Sequence, residues 1–346
     1  MNIFLDDSKC RQALQPFSYT RHVADIRVGI LSIREKWELL AGVTVTTNEQ
    51  DIKAETVIIQ ANIIPAVSTV ALIIQAAKDG TPLLETDDMK VLHHPWNIFQ
   101  YNDRAIREDF ALLTAGRNSQ PVSPTNHVTG AGNIFIEEGA SVEYSILNAA
   151  TGPIYIGRNA QVMEGCLIRG AFALGENAVL KMGTKIYGAT TLGPNCVGGG
   201  EIKNSVLFAN SNKAHDGYLG DSVLGEWCNL GAGTSNSNVK NTGGNVKYIT
   251  DSDMNSIVAG NKAGLIMGDY SRAAINTSFN TGTIVGVCCN VFGVAPGKFV
   301  NNFSWGNEGY IFEKAIADIS NWKKMKGQEI SEAEIAMLKN IYTHHQ

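Results

Sequence analysis

The chain has 346 residues, of which 44% are apolar and 18% charged, and a net charge of −5. That length and apolar content support one large or two ordinary domains with a sizeable core, and exclude a disordered or coiled-coil chain. The acidic balance argues for no nucleic-acid or anionic-membrane partner, and no stretch approaches the ~18 consecutive apolar residues of an ordinary transmembrane helix.

From the N-terminus, MNIFLDDSK sets Asp6 and Asp7 where a signal peptide would continue its apolar region. Cysteines at 10, 166, 196, 228, 288 and 289 form no CxxC pair and no metal-ligand spacing. Both features predict a cytoplasmic protein with reduced, buried thiols. Ile3–Leu5 reads as a short strand. Ile26, Ile30, Ile33, Trp37 and Leu40 recur at helical steps, Val57–Ile59 reads as a buried strand, and Pro65 opens a helix carrying Val67, Val70, Ile74 and Ala77 on one face. Thr81–Leu84 is a further strand, and a last helix over Arg104–Ala115 turns Ile106, Phe110 and Leu113 inward. Alternating strands and helices predict a small α/β unit over 1–116.

Only four of the 35 glycines lie in the first 120 residues, whereas thirty lie between 130 and 309. This shift, with the Pro- and Ser-containing segment GRNSQPVSPTN, predicts a linker over 117–133. Beyond it, Ile156, Val162, Ile168, Leu174, Leu180, Ile186 and Leu192 stand at steps of six. Neither a 3.6-residue helix nor a flat strand keeps such a register. Six-residue repetition predicts a parallel β-helix over 134–309, in which each aliphatic stacks on the one eighteen residues later, about 4.8 Å along the axis. The pattern resumes at Leu224, Leu230, Ile266, Ile284 and Val291. Residues 200–221 and 233–256 break it and are expected to loop out of the prism. In the tail, 310–346, Phe312, Ile316, Ile319 and Trp322 sit at helical spacing. Ser331 and Glu334 form a capping box ahead of Ile335, Leu338 and Ile341, so two helices are expected to cap the open end.

These repeats resemble the left-handed β-helix acyltransferases and sugar-nucleotide enzymes. HDGYLGD (215–221), NLGAGT (229–234), Asn238 and the E-x-K of Glu201 and Lys203, twelve residues before His215, resemble the acetyltransferase half of the bifunctional enzymes that make UDP-N-acetylglucosamine. TRHVADIRVGIL (20–31), GEWCNLGAGT (225–234), NTSFNTGTIVGV (276–287) and NNFSWG (301–306) resemble the Bacteroidetes-type UDP-N-acetylglucosamine diphosphorylase / glucosamine-1-phosphate N-acetyltransferase family. The resemblance implies a reduced nucleotidyltransferase-like domain, a left-handed β-helix acyltransferase domain and a homotrimer with sites in the grooves between subunits. Acetyl-CoA is the implied acyl donor and an amino-sugar phosphate the acceptor.

The chemistry asks for a base that takes a proton from an amine and for N–H donors that meet an oxyanion. By resemblance His215 is the base, and the Ala232 N–H is the oxyanion donor beside coenzyme A. Asn229 orders the site. By the same resemblance Lys203 and Lys185 meet the sugar phosphate; Lys185 stands where the family has an arginine, which replaces a bidentate fork by a point charge. Tyr218 holds the sugar, and Asn238 and Lys247 lie in a loop that reaches the neighbouring subunit's substrate. Arg272 and Lys298 are candidates for the coenzyme A phosphates on charge and location. The alternatives are a loop histidine bonded to Asp216 or Asp221, an asparagine ladder at Asn229, a tight corner at Ala232, and solvated lysines.

The first domain lacks the family's G-x-G-T-R-M loop. Arg21 and Arg27 are candidate substitutes, Asp6 and Asp7 candidate metal-facing carboxylates, and Mg2+ enters only if this domain transfers nucleotides. Three rival functions fit parts of the pattern. One is a sugar-1-phosphate nucleotidyltransferase, using UTP or dTTP, whose β-helix only assembles subunits. Another is a non-catalytic sugar-nucleotide sensor. The third, a γ-class carbonic anhydrase, needs three histidines around zinc; only His127 and His215, 88 residues apart, are near the solenoid. His93–His94 and His344–His345 read as exposed linker and tail pairs.

Overall fold

The structure, a computed structural model, describes residues 2–83, 85–86, 88–251 and 254–344. Its first unit is built on a three-stranded parallel sheet in the order β2 (Val45–Thr46), β1 (Asn2–Asp6), β3 (Thr56–Gln60). Ile3 pairs with Val57 and Leu5 with Ile59, so the predicted apolar strands lie side by side. Helices α1 (Ile33–Ala41), α2 (Val70–Asp79) and α3 (Asn97–Thr114) complete the unit.

Two predicted helix starts move. The helix expected from Ile26 begins only at Ile33, behind a Ser32–Glu35 capping box. Residues 29–31 do not join the helix because their amides are taken from outside: Asn102 accepts the Gly29 N–H, and Asp109 accepts those of Ile30 and Leu31. The helix expected from Pro65 begins at Val70, since the Thr69 hydroxyl accepts the Ala66 N–H and closes a turn first; Val67 is left exposed. The third helix starts earlier than Arg104, where Asn97 accepts the N–H groups of His93 and His94. Residues 81–83 form no strand, and Leu84 lies outside the described residues. Lys90–Val91 pairs with Ile63–Ile64 instead.

The rest of the chain to Gly309 is a parallel β-helix with faces of nine, ten and six strands. Ile156 stacks on Leu174 and Leu192, Val162 on Leu180, and Ile168 on Ile186, as the six-residue step predicts. All seven of these aliphatics are at most 2% exposed. The first solenoid strand, His127–Thr129, lies inside the stretch read as linker, and Gln120 already donates to the Ile136 carbonyl.

Residues 200–221 do not loop out. Glu201–Lys203 and Tyr218–Gly220 pair in sequence below Lys185–Tyr187, so the coil shortens without opening. Only the second break leaves the prism, as an antiparallel hairpin of Val246–Ile249 and Ser256–Gly260. Ile266 and Ile284 face outward rather than inward; Leu265, Met267 and Val285 fill the solenoid core instead. The outward pair is covered by the first unit. Val206, Phe208, Val223, Ile266, Ile284 and the hairpin's Val246 and Tyr248 join Ile3, Phe17, Trp37 and Trp96 in one apolar cluster. Tyr248 stacks on Trp96 at 4.7 Å.

Helices α4 (Phe312–Met325) and α5 (Glu332–His344) form the C-terminal cap, with the predicted capping box present. The cap lies along one edge of the coils. Phe312, Ile319, Leu338 and Ile341 cover Trp227, Tyr270, Cys288 and Phe303. Lys326 Nζ donates to the carbonyls of Asn195 and Asn210 further along that edge.

Candidate functional site

Alternation along the six-strand face sorts its residues. Ile186, Ile202 and Leu219 point inward, and Lys185, Tyr187, Glu201, Lys203 and Tyr218 point outward in register. The Tyr187 hydroxyl donates to Glu201 at 2.5 Å, and this bond, with burial second, pushes its pKa up to about 12. Lys203 Nζ lies 3.9 Å from Asp221. Asp221, only 3% exposed, also accepts from Asn204 Nδ2 at 2.6 Å and from Asn238 Nδ2. Asn238 in turn lies 3.1 Å from the Tyr218 hydroxyl, which burial, then Tyr187, Asp221 and Glu201, hold well above the usual phenol range. Tyr218, Lys203 and Asn238 thus meet through Asp221. Sequence reasoning had not placed Asp221, Asn204 or Tyr187 in this cluster. The HDGYLGD motif contains Asp221, but Asn204 and Tyr187 join only through the stacking of coils.

His215 occupies the corner between Asn212–Lys213 and Tyr218–Gly220 and is exposed. Its ring has no hydrogen-bond partner among the described residues, so neither Asp216 nor Asp221 holds it. The next corner along the axis carries Ala232, and the two corners are stitched by the Gly233 N–H donating to the Asp216 carbonyl at 2.9 Å. The Ala232 N–H has no acceptor among the described residues, while its carbonyl accepts from Asn276. Beyond Ala232 the same row of corners exposes Ile275, Phe292 and Val294, and Trp305 of the adjoining strand, edge-on to Phe292 at 5.3 Å, extends this apolar strip.

Asn229 stands on the adjoining face in an asparagine ladder. Asn212 Nδ2 reaches Asn229 Oδ1 at 3.5 Å, and Asn212 Oδ1 accepts from Lys326 at 3.1 Å. Lys185 is exposed beside Glu201, and Lys247 is exposed on the hairpin. Arg272 is a correction. It is 8% exposed, donates to the Tyr270 carbonyl and lies under Trp322 of α4 at 5.1 Å, so it is not open to a coenzyme phosphate. Lys298 is half-buried at the far end of the solenoid. Burial, then Lys240, lowers its pKa.

The first unit corrects two further expectations. Arg21 is not a phosphate ligand. It is buried in ion pairs with Asp269 and Glu226 of the solenoid, the latter at 2.8 Å, and covers Phe208. Arg27 donates to the Ile30 carbonyl and lies 3.5 Å from Glu35. Asp7 is paired with Arg11 at 2.7 Å, and Asp6 accepts the Ser8 N–H. Among the described residues no three His, Cys, Asp or Glu are grouped as a protein-only metal site would need. A cavity of about 590 Å³ opens at the carboxyl ends of β1 and β3, lined by Lys9, Cys10, Gln60, Asn62, Leu83 and His93. Ligands of open parallel sheets bind at such ends. Asn62 donates to the Leu92 carbonyl there, and its buried Oδ1 has no partner.

Residues 2–89 and 75–118 match the sugar nucleotidyl transferase family. The chain is 28% identical over 203 residues to the bifunctional protein GlmU of Methanococcus maripaludis, covering 56% of this chain and 40% of that protein. A segment of 102 residues is 33% identical to the bifunctional sugar-1-phosphate nucleotidylyltransferase/acetyltransferase of Sulfurisphaera tokodaii, covering 29% and 24%. Over these stretches the chain is similar to bifunctional GlmU proteins. It spans less than half the length of these GlmU relatives. Among solved structures, LpxA of Bacteroides fragilis, a UDP-N-acetylglucosamine acyltransferase, aligns with 65% of this chain and 98% of its own at 12% identity and a TM-score of 0.35. Among the described residues, no helix is long and apolar enough to cross a membrane.

Proposed function

We propose that the chain is a cytoplasmic acetyltransferase that moves an acetyl group from acetyl-CoA to the 2-amino group of glucosamine-1-phosphate, within UDP-N-acetylglucosamine biosynthesis. The observation that carries this reading is the stacking of two corners. An exposed imidazole at His215 sits one coil from the Ala232 N–H, and neither has a hydrogen-bond partner among the described residues. A polar face bearing Lys203, Tyr218 and Asn238 begins three residues away.

The roles follow from chemistry. His215 accepts a proton from the attacking amine, a task worth about 10²–10⁴ in rate. The Ala232 N–H donates to the oxygen that gains negative charge at the thioester carbonyl. Lys203, with Lys185 beside it, offers positive charge to the sugar phosphate, and Tyr218 and Asn238 offer hydrogen bonds to the sugar. Asn229 supports the corner that carries Ala232. The apolar strip from Ile275 to Trp305 suits a pantetheine arm. Lys298 remains the candidate for the coenzyme phosphates, and Lys247 for a contact across a subunit boundary. We read the assembly as a homotrimer with sites between subunits. Ile146 and Leu167, exposed neighbours on the face that bears Tyr218, support that reading.

The first unit serves assembly in this proposal. Its Gly29–Leu31 amides are filled by the protein's own Asn102 and Asp109, and its core is continuous with that of the solenoid. The test is free-thiol release from acetyl-CoA with a panel of amino-sugar phosphates, beside pyrophosphate release with UTP and dTTP. Thiol release with glucosamine-1-phosphate and none of pyrophosphate is expected. The reverse result would establish a nucleotidyltransferase and remove the acetyl-transfer reading.

A further inference from the structure

The inner lane of the ten-strand face reads Val142, Val162, Leu180 and Gly198, and then Lys213. Leu230 follows in the next strand, also in the solenoid core. Lys213 therefore puts an ammonium where its lane otherwise has aliphatic side chains or glycine, and it is 0% exposed. Next to it in the lane, a Cβ at Gly198 would lie 2.5 Å from Leu192 and 2.9 Å from Leu180, so only glycine fits there. Among the described residues no carboxylate pairs with Lys213. Its Nζ donates to two backbone carbonyls, that of Gly199 at 3.3 Å and that of His215. Burial lowers its pKa to about 8, with Asp216 opposing.

Those two carbonyls belong to successive corners, 199–200 and 214–217, which glycine brings into backbone contact. A Cβ at Gly199 would lie 3.0 Å from the His215 N, and one at Gly200 2.8 Å from its carbonyl oxygen. A buried ammonium without a carboxylate costs stability, and an aliphatic residue of similar length would pack this lane at lower cost. The lysine needs another reason. We propose that Lys213 is a positioning residue: its ammonium clamps the corner that carries His215 onto the corner below it and fixes the direction in which the imidazole leaves the prism. This rests on the reading of His215 as the base.

Lys213→Leu continues the lane of Leu180 and Leu230, so packing alone predicts a harmless variant. The clamp predicts a protein as thermally stable as wild type or more so, with kcat lowered roughly 10- to 100-fold and KM for the amino-sugar phosphate within about twofold, the size of effect a misplaced catalytic group produces. Hydrogen exchange of the full-length variant is expected to quicken at 199–200 and 214–217 and nowhere else. Lys213→Arg, which keeps the donors, is expected to recover part of kcat. Wild-type kcat in a stable Lys213→Leu protein would overturn the proposal. So would a kcat that falls only in step with melting temperature. If the wild type shows no acetyl transfer, or His215→Ala retains it, the reading of His215 fails, and exchange still decides the clamp: unchanged rates at these corners refute it.

Discussion

Replacing Arg21 by Met tests the joint between the first unit and the solenoid. The Arg21 side chain is 10% exposed and that of Asp269 3%, so solvent screens their attraction little. Burial works against the Arg21 charge, and Asp269 and Glu226 outweigh it and hold its pKa above the ordinary value. Burial also holds the Asp269 pKa above the usual carboxylate range, with Arg21 pulling it down. In the variant, Met retains most of the packing on Phe208. Asp269 keeps its bonds from Thr20 at 2.7 Å and the Glu226 N–H at 2.8 Å but loses its cation. Breaking a buried pair on one side costs about 3–5 kcal/mol.

The pH dependence of that loss has a definite sign. The stranded Asp269 has a folded-state pKa above its unfolded one, so the folded variant binds the proton more readily, and its deficit is full at neutral pH and shrinks as pH falls through the folded pKa. Urea denaturation followed by circular dichroism at fixed protein concentration, at pH 7 and pH 5, measures both quantities. Adding Asp269→Leu to Arg21→Met is expected to restore much of the loss. A single variant within about 1 kcal/mol of wild type would reduce the pair to the worth of a surface salt bridge and refute the reasoning.

Leu180→Ala empties a 0% exposed site in the solenoid lane and is expected to cost about 2–5 kcal/mol by the same denaturation assay. Gly29→Ala adds a Cβ 2.8 Å from the Ala105 backbone at a φ of +84°, so destabilisation of about 1–3 kcal/mol or more is expected, with faster hydrogen exchange at residues 28–31. Lys213 is depressed to about 8 from an ordinary lysine value of about 10.4, so the folded state sheds this proton first. The stability of wild type relative to Lys213→Leu is therefore expected to rise from about pH 8 to about pH 10.4 and to be flat just below that window.

The six-residue clock made the solenoid legible because inward positions of a parallel coil favour apolar side chains, and Ile156 to Leu192 kept that pattern without interruption. It failed where a second body covers the outside. Ile266 and Ile284 look like inward aliphatics because the first unit buries them from the other side. It failed also at 200–221, where a shortened coil breaks the spacing and keeps the strand pairing. The helix starts at Ile33 and Val70 depended on long-range capture of amides by Asp109 and on a local threonine turn, and apolar periodicity reports neither. At the site, the motif around His215 drew attention to Asp221, Ala232 and Tyr218. Arg272 looked available because its cover, Trp322, is fifty residues away in sequence.

The proton-accepting role of His215 is tested most directly by comparing thiol release from acetyl-CoA, with saturating glucosamine-1-phosphate, in wild-type and His215→Ala proteins of matched oligomeric size and melting temperature. A fall in kcat of about 10²–10⁴ is expected. Equal turnover in the two proteins would contradict the assignment of the imidazole as the base.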